Sequence, residues 1–160
     1  MEFFMRRLLV LLLALICTSC VSVKIPRYIE NESSYKRKFY ASFDETLEAA
    51  QTTLADEGWT VVETKDPRIY EQNSNYDSTT GKQLVLFTET RQTSLILFSR
   101  YSNLNAFIRS LDKSSTEVEI RYYSATLLLI HTFKSTKNDR FVDHLLDQIA
   151  QSLENNTNNQ

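Results

Sequence analysis

Glycine is almost absent from this chain. Of 160 residues only Gly58 and Gly81 are glycines, too few and too far apart for a dinucleotide-binding G-x-G-x-x-G turn or a phosphate-cradling P-loop. Nucleotide enzymes of the common kinds are thereby excluded. Histidine is equally scarce. His131 and His144 lie thirteen positions apart, without the H-x-x-x-H spacing that puts two imidazoles on one helical face, so a zinc site would need ligands from distant parts. Basic residues are not in excess, 18 against 20 acidic ones for a formal charge of −2, whereas a nucleic-acid binder usually carries a clear positive surplus. Cysteine occurs only at positions 17 and 20.

What is there begins with that pair. A redox C-x-x-C needs a strand before it and a helix after it, whose N-terminus lowers the thiol pKa. Here the pair follows Arg6-Arg7 and an uninterrupted apolar run, Leu8 to Ile16, and encloses Thr18 and Ser19. A charged start, a short apolar stretch and small residues before a cut are the three regions of a secretory signal peptide. The run falls short of the ~20 residues that cross a bilayer core, which makes an uncleaved membrane anchor the second reading.

Cys17-Thr18-Ser19-Cys20 resembles the lipobox of bacterial lipoproteins. The resemblance implies cleavage before Cys20, acylation of Cys20 by palmitate-like chains, and attachment to a membrane through them. Thr18 and Ser19 fit the pattern, while Cys17 stands where leucine is usual. Because Val21 rather than aspartate follows the cysteine, the resemblance also implies the outer membrane, facing the periplasm, in a source with two membranes. Residues 1–19 are therefore expected to be a signal peptide, 20–34 the lipidated N-terminus and tether, 35–154 a single domain and 155–160 a disordered tail.

Residues 21–34 lack periodicity and contain Pro26 and a polar Asn-Glu-Ser-Ser stretch, the composition of a linker. A short strand is predicted over 36–41, followed by the best helix signal in the chain. Ser42 and Glu45 form a capping box, Phe43, Leu47, Ala50 and Leu54 fall on one face, and Gly58 stands where a left-handed C-terminal residue is wanted. A second helix closes the domain, with Thr136 and Asp139 offering its start and Val142, Leu145, Leu146, Ile149 and Leu153 its stripe. Between the helices the pattern shortens to strands at 59–64, 68–72, 83–89 and 94–101, then a hairpin of 105–112 with 116–123. Asp66-Pro67 and Lys113-Ser114-Ser115 supply turns. Residues 126–133 fit a further strand or the run into the last helix. This order predicts an α+β fold, a two-layer sandwich with two helices on one face of an antiparallel sheet of about five to seven strands.

Chemistry is thin. Asp44, Glu45 and Glu48 cluster where a helix dipole favours negative charge, so stability accounts for them. His144, between Asp143 and Asp147, reads as part of a solvated helix face, and His131 as a core or boundary histidine. The basic "YKRKFY" of 35–40 fits an edge strand kept charged against aggregation, with contact to anionic headgroups as the alternative. No cofactor and no compact catalytic motif is indicated.

The strands hold one mismatch. Thr116 to Tyr123 alternates apolar and polar as a half-covered strand should, with Val118, Ile120 and Tyr122 between Glu117, Glu119 and Arg121. Leu84-Val85-Leu86-Phe87 and Leu95-Ile96-Leu97-Phe98 are apolar throughout. If the leucines pack beneath the helices, Val85, Phe87, Ile96 and Phe98 occupy the opposite face. Either the chain covers that face with 124–134 or the loop 73–82, or a partner does. The reading that follows is a lipid-anchored, non-catalytic interaction module of the cell envelope with a protein partner and no nucleic acid. The alternative is a carrier of a lipid or other apolar molecule. An envelope hydrolase with converging carboxylates comes third.

Overall fold

The structure is a computed structural model that describes residues 6–7, 23–71, 81–96, 98–128 and 131–158. Seven strands form one antiparallel sheet: β1 (Ser34–Phe39), β2 (Val61–Lys65), β3 (Gln83–Thr88), β4 (Arg91–Leu95), β5 (Phe98–Ser110), β6 (Thr116–Leu128) and β7 (His131–Ser135). Helices α1 (Phe43–Asp56) and α2 (Asp139–Asn158) both pack on one face, so the α+β sandwich expected from the pattern is the architecture found.

The capping signals act as written. Ser42 accepts from the Glu45 amide at 3.4 Å while Glu45 accepts from the Ser42 amide at 2.9 Å, closing the box that starts α1. Gly58 takes φ +76° just beyond its end, a conformation that costs a side chain dearly. The other glycine answers a close approach: a Cβ on Gly81 would lie 2.7 Å from the Ser110 carbonyl oxygen.

The helix-side core gathers Phe43, Ala50 and Leu54 of α1 and Val142, Leu145 and Ile149 of α2 over Leu86, Leu104, Ile108, Val118 and Ile120 of the sheet. Strands β5 and β6 pair without interruption from Phe98↔Leu128 to Ser110↔Thr116. Their first half is flanked differently from their second. Near the β5–β6 turn, β1 lies against β6, and β3 followed by β2 against β5. Beyond the reach of that core, β4 pairs with β5 and β7 with β6, giving a four-stranded wing in the order β4-β5-β6-β7.

Several expectations are corrected. The strand expected over 68–72 is not found over 68–71, position 72 lying outside the described residues: Pro67 opens a 3-10 turn, Pro67–Ile69, capped by the Asp66 carboxylate accepting from the Arg68 amide at 3.0 Å. Proline pre-sets the backbone for the first helical position. Residues 94–101 are not one strand but the facing ends of β4 and β5, with Leu95 paired to Phe98. The second helix starts at Asp139, where the Asn138 carbonyl accepts from the Val142 amide. Thr136 instead bonds Ser33. Residues 155–158, expected in a disordered tail, continue α2. Most consequentially, residues 23–34 are no loose tether, because they lie packed along the sheet. Cys20 and Val21 lie outside the described residues, as does Leu97.

Candidate functional site

Directly paired residues of an antiparallel sheet share a face. The register therefore puts Asn103, Asn105, Phe107 and Arg109 of β5 together with Glu117, Glu119, Arg121 and Tyr123 of β6 on the side away from the helices. Asparagine is disfavoured inside strands, and both asparagines here do work a neighbouring strand cannot. The Asn103 side-chain amide donates to the Pro26 carbonyl at 2.9 Å, and that of Asn105 to the Arg27 carbonyl at 3.1 Å. In return the Ile29 amide donates to Asn105 Oδ1 at 2.8 Å. Ile29 is buried beside Tyr123 and Ala125, with Val23 and Ile25 packed against the same cluster.

Next to this seam lies a closed ring of charge. Glu119 accepts from Arg121 Nε and from Arg109 Nη1, both at 2.5 Å. Glu71 accepts from the same two guanidinium groups, at 2.5 Å from Arg121 and 3.0 Å from Arg109. Arg121 also donates to the Tyr28 hydroxyl at 2.8 Å and the Ile29 carbonyl at 3.2 Å, and its guanidinium stands 4.0 Å from the Phe107 ring centre. Glu119 is fully buried and Arg121 is 1% exposed. Burial alone raises the Glu119 pKa, but the Arg121 hydrogen bond and the charges of Arg109 and Arg121 outweigh it, and the carboxyl is held below its ordinary value. Burial raises the Tyr28 hydroxyl in turn, against the opposing pull of Arg121.

Val85 and Phe87 do share the face opposite the helices, as the pattern implied, but Phe87 is only 1% exposed. Tyr28 stacks on Tyr70 with ring centres 4.9 Å apart, and Tyr70 meets Phe87 edge-on at 5.5 Å. The cover thus comes from residues 23–32 and 67–71. Residues 124–128 and 131–134 extend the sheet instead, and 72–80, 129 and 130 lie outside the described residues. Val85 and Phe87 are therefore no surface for a partner.

Ile96 and Phe98 go elsewhere. Phe98 belongs to the helix-side face, because it is continuous in register with Leu104, and Ile96 stands fully exposed at the free end of the wing. Leu95, Phe98, Leu128 and His131 form one cross-strand row at that end. Leu95 is 61% exposed, and Phe133, two rows back on the same face, 60%. His131 is exposed on β7 rather than set in a core. His144 lies on the open face of α2 with Nε2 3.1 Å from Glu57. Arg37 of β1 pairs with Asp147 at 2.6 Å and Lys36 approaches Glu119 at 3.6 Å, which supports the edge-strand reading of "YKRKFY".

Two surface depressions border these elements. One of 640 Å³ runs past Lys24, Glu32 and Lys134, and one of 750 Å³ past Arg37, Glu48 and Glu154. Both are open to solvent and mix charged with apolar lining, Ile25 and Tyr123 in the first and Phe39 and Leu153 in the second, whereas the cavity of a lipid carrier is enclosed. No helix among the described residues is long and apolar enough to cross a membrane.

No family model matches the chain, and no curated protein does. Among solved structures, the crystal structure of a conserved protein from Geobacillus kaustophilus is similar over 77% of this chain and 92% of its own, at 7% identity and a TM-score of 0.33. A likeness that slight bears on neither fold nor function.

Proposed function

We propose that this chain is a lipid-anchored protein of the cell envelope, held in the outer membrane by acyl chains on Cys20 and acting there as a non-catalytic module that receives a protein partner. The observation that carries the reading is how the sheet fastens its own leading segment. Asn103, Asn105 and Arg121 grip the backbone of Pro26, Arg27 and Ile29, and only positions 21 and 22 separate Cys20 from Val23, which is packed on the sheet. Such a mounting suits a body kept at a membrane surface. The buried carboxylate of Glu119 and the partly buried one of Glu71 are each answered by two arginines, an arrangement that favours holding the segment over catalysis. For a partner, β4 and β7 each leave an outer edge with no strand against it among the described residues, open to strand addition. Module and carrier alike lose the apolar face of Val85 and Phe87, which the chain itself covers, so the module is proposed on the open edges of β4 and β7 instead.

The test compares wild type with Cys20→Ser. Intact mass is expected to show the wild type without residues 1–19 and with acyl mass on Cys20, in the outer-membrane fraction, and Cys20→Ser released from it. An unchanged membrane fraction with residues 1–19 retained would overturn the reading in favour of an uncleaved anchor. Mass spectrometry of what co-purifies with the detergent-extracted protein separates the classes: a protein partner supports the module, and a stoichiometric apolar small molecule supports the carrier.

A further inference from the structure

We infer that the free end of the wing dips into the lipid surface beside the N-terminal anchor, so that the domain is held to the bilayer at two adjacent points. The inference rests on the lipid-anchored reading. It begins with the composition of the hairpin ends. Tight β-hairpins favour Gly, Asn or Asp in their turns, yet the sequence through the two ends of the wing reads Leu95-Ile96-Leu97-Phe98 and Leu127-Leu128-Leu129-Ile130. Ile96 is 101% exposed and Leu128 43%. Leu95, Ile96 and Leu128 neither favour a turn nor are buried in the domain, and exposed apolar side chains grouped in this way call for a nonaqueous neighbour.

Direction supplies the second observation. From Ile29 back to Val23, the leading segment's partners on the sheet shift from Asn105 and Arg121 to Asn103, and then to Tyr123 and Ala125. That is a march along β5 and β6 toward their Phe98 and Leu128 ends. From Ala125 to Leu128 is three residues of strand, about 10 Å. The three steps from Val23 back to Cys20 span at most about the same distance. Val23 is thus packed within about 10 Å of strand from the apolar ends, and the anchor position is three residues from it.

Charge supplies the third. Strand stretches 91–103 and 123–135 contain no Asp or Glu, although one residue in eight of the whole chain is acidic, and they carry Arg91, Arg100 and Lys134. Strands that carry no carboxylate of their own, with Arg100 and Lys134 behind apolar tips, match anionic headgroups above acyl chains, the pattern of interfacial membrane contacts. A pocket on a protein partner would explain the exposed apolar tips but not their nearness to Val23, three residues from Cys20.

The experiment places a tryptophan at one end of the sheet or the other, by Ile96→Trp or Leu111→Trp. Leu111 is 44% exposed just beyond the opposite end of β5. Each full-length variant is expressed, its intact mass read for acylation, and the protein reconstituted into vesicles of phosphatidylethanolamine and phosphatidylglycerol bearing brominated acyl chains. The buried native Trp59 gives the common background. The Ile96→Trp indole is expected to be quenched several-fold more than the Leu111→Trp indole, and more by bromines near the headgroups than by bromines deep in the chains. Equal, weak quenching of both in protein whose mass shows acyl chains on Cys20 overturns the inference and leaves the anchor standing. A blue-shifted Ile96→Trp emission without bromine quenching assigns the tips to a protein pocket and also overturns it. A chain without acyl mass overturns the reading beneath it, and two-point attachment falls with that reading.

Discussion

Arg121 touches more of the second face than any neighbour described above: Glu71, Glu119, Tyr28, the Ile29 carbonyl and the Phe107 ring. Removing one partner of a buried ionic group strands the others, at about 3–5 kcal/mol. Arg121→Met is therefore expected to lower urea stability by that order. Replacing Glu71, Arg109, Glu119 and Arg121 together by apolar residues of similar volume is expected to recover most of it. The pH dependence follows from the lowered Glu119 pKa. Its folded value lies below its unfolded one, so the stability it contributes is complete above the ordinary carboxylate range near about pH 4. That stability is lost as pH falls through the folded value. Urea midpoints measured across this window should flatten in Glu119→Gln. From sequence, Glu119 and Arg121 were legible as the polar half of an alternating strand, facing away from the helices. Their burial was not, because Tyr28 comes from a segment without periodicity and Glu71 from one read as a strand of the sheet, both far away along the chain.

Among the elements, the docked segment 23–30 depends on side-chain rather than ladder hydrogen bonds. Substituting both Asn103 and Asn105 by alanine leaves the Ile29 amide and the Pro26 and Arg27 carbonyls without these partners, the buried Ile29 loss alone costing about 1–3 kcal/mol. Amide exchange of residues 27–30 is expected to accelerate strongly in the double variant while α1 keeps its protection. Uniform acceleration through α1 would show instead that the segment is part of the global fold. The local signals were readable wherever they were complete within a few residues, as with Ser42, Glu45 and Gly58 around α1. They failed at the β4–β5 hairpin. Leu95 to Phe98 contains no turn-forming residue, so an apolar run across a bend reads as one continuous strand. Asn103 and Asn105 were the available clue to the docked segment, two amides set in the middle of a strand.

At the scale of the molecule, the sheet is a sandwich at one end and an open wing at the other. Phe87→Ser is expected to cost about as much as other losses of a buried aromatic, ~3–5 kcal/mol, and to lower the melting temperature sharply. Ile96→Ser is expected to leave it nearly unchanged. Near-equal melting temperatures for the two would contradict the covered face. The α+β class was legible because it follows from element order alone. The cover of the second face was not, since it joins the two ends of a long path through the chain. The seam formed by Asn103, Asn105 and Arg121 has a last consequence, for reach. A free linker over 21–34 would let the domain roam roughly 20 Å from its root, whereas a chain pinned from Val23 onward leaves about 11 Å of slack from Cys20. The mount is a bracket rather than a leash. On an acylated Cys20 the domain patrols a thin shell over its own bilayer, and anything it meets must already be there.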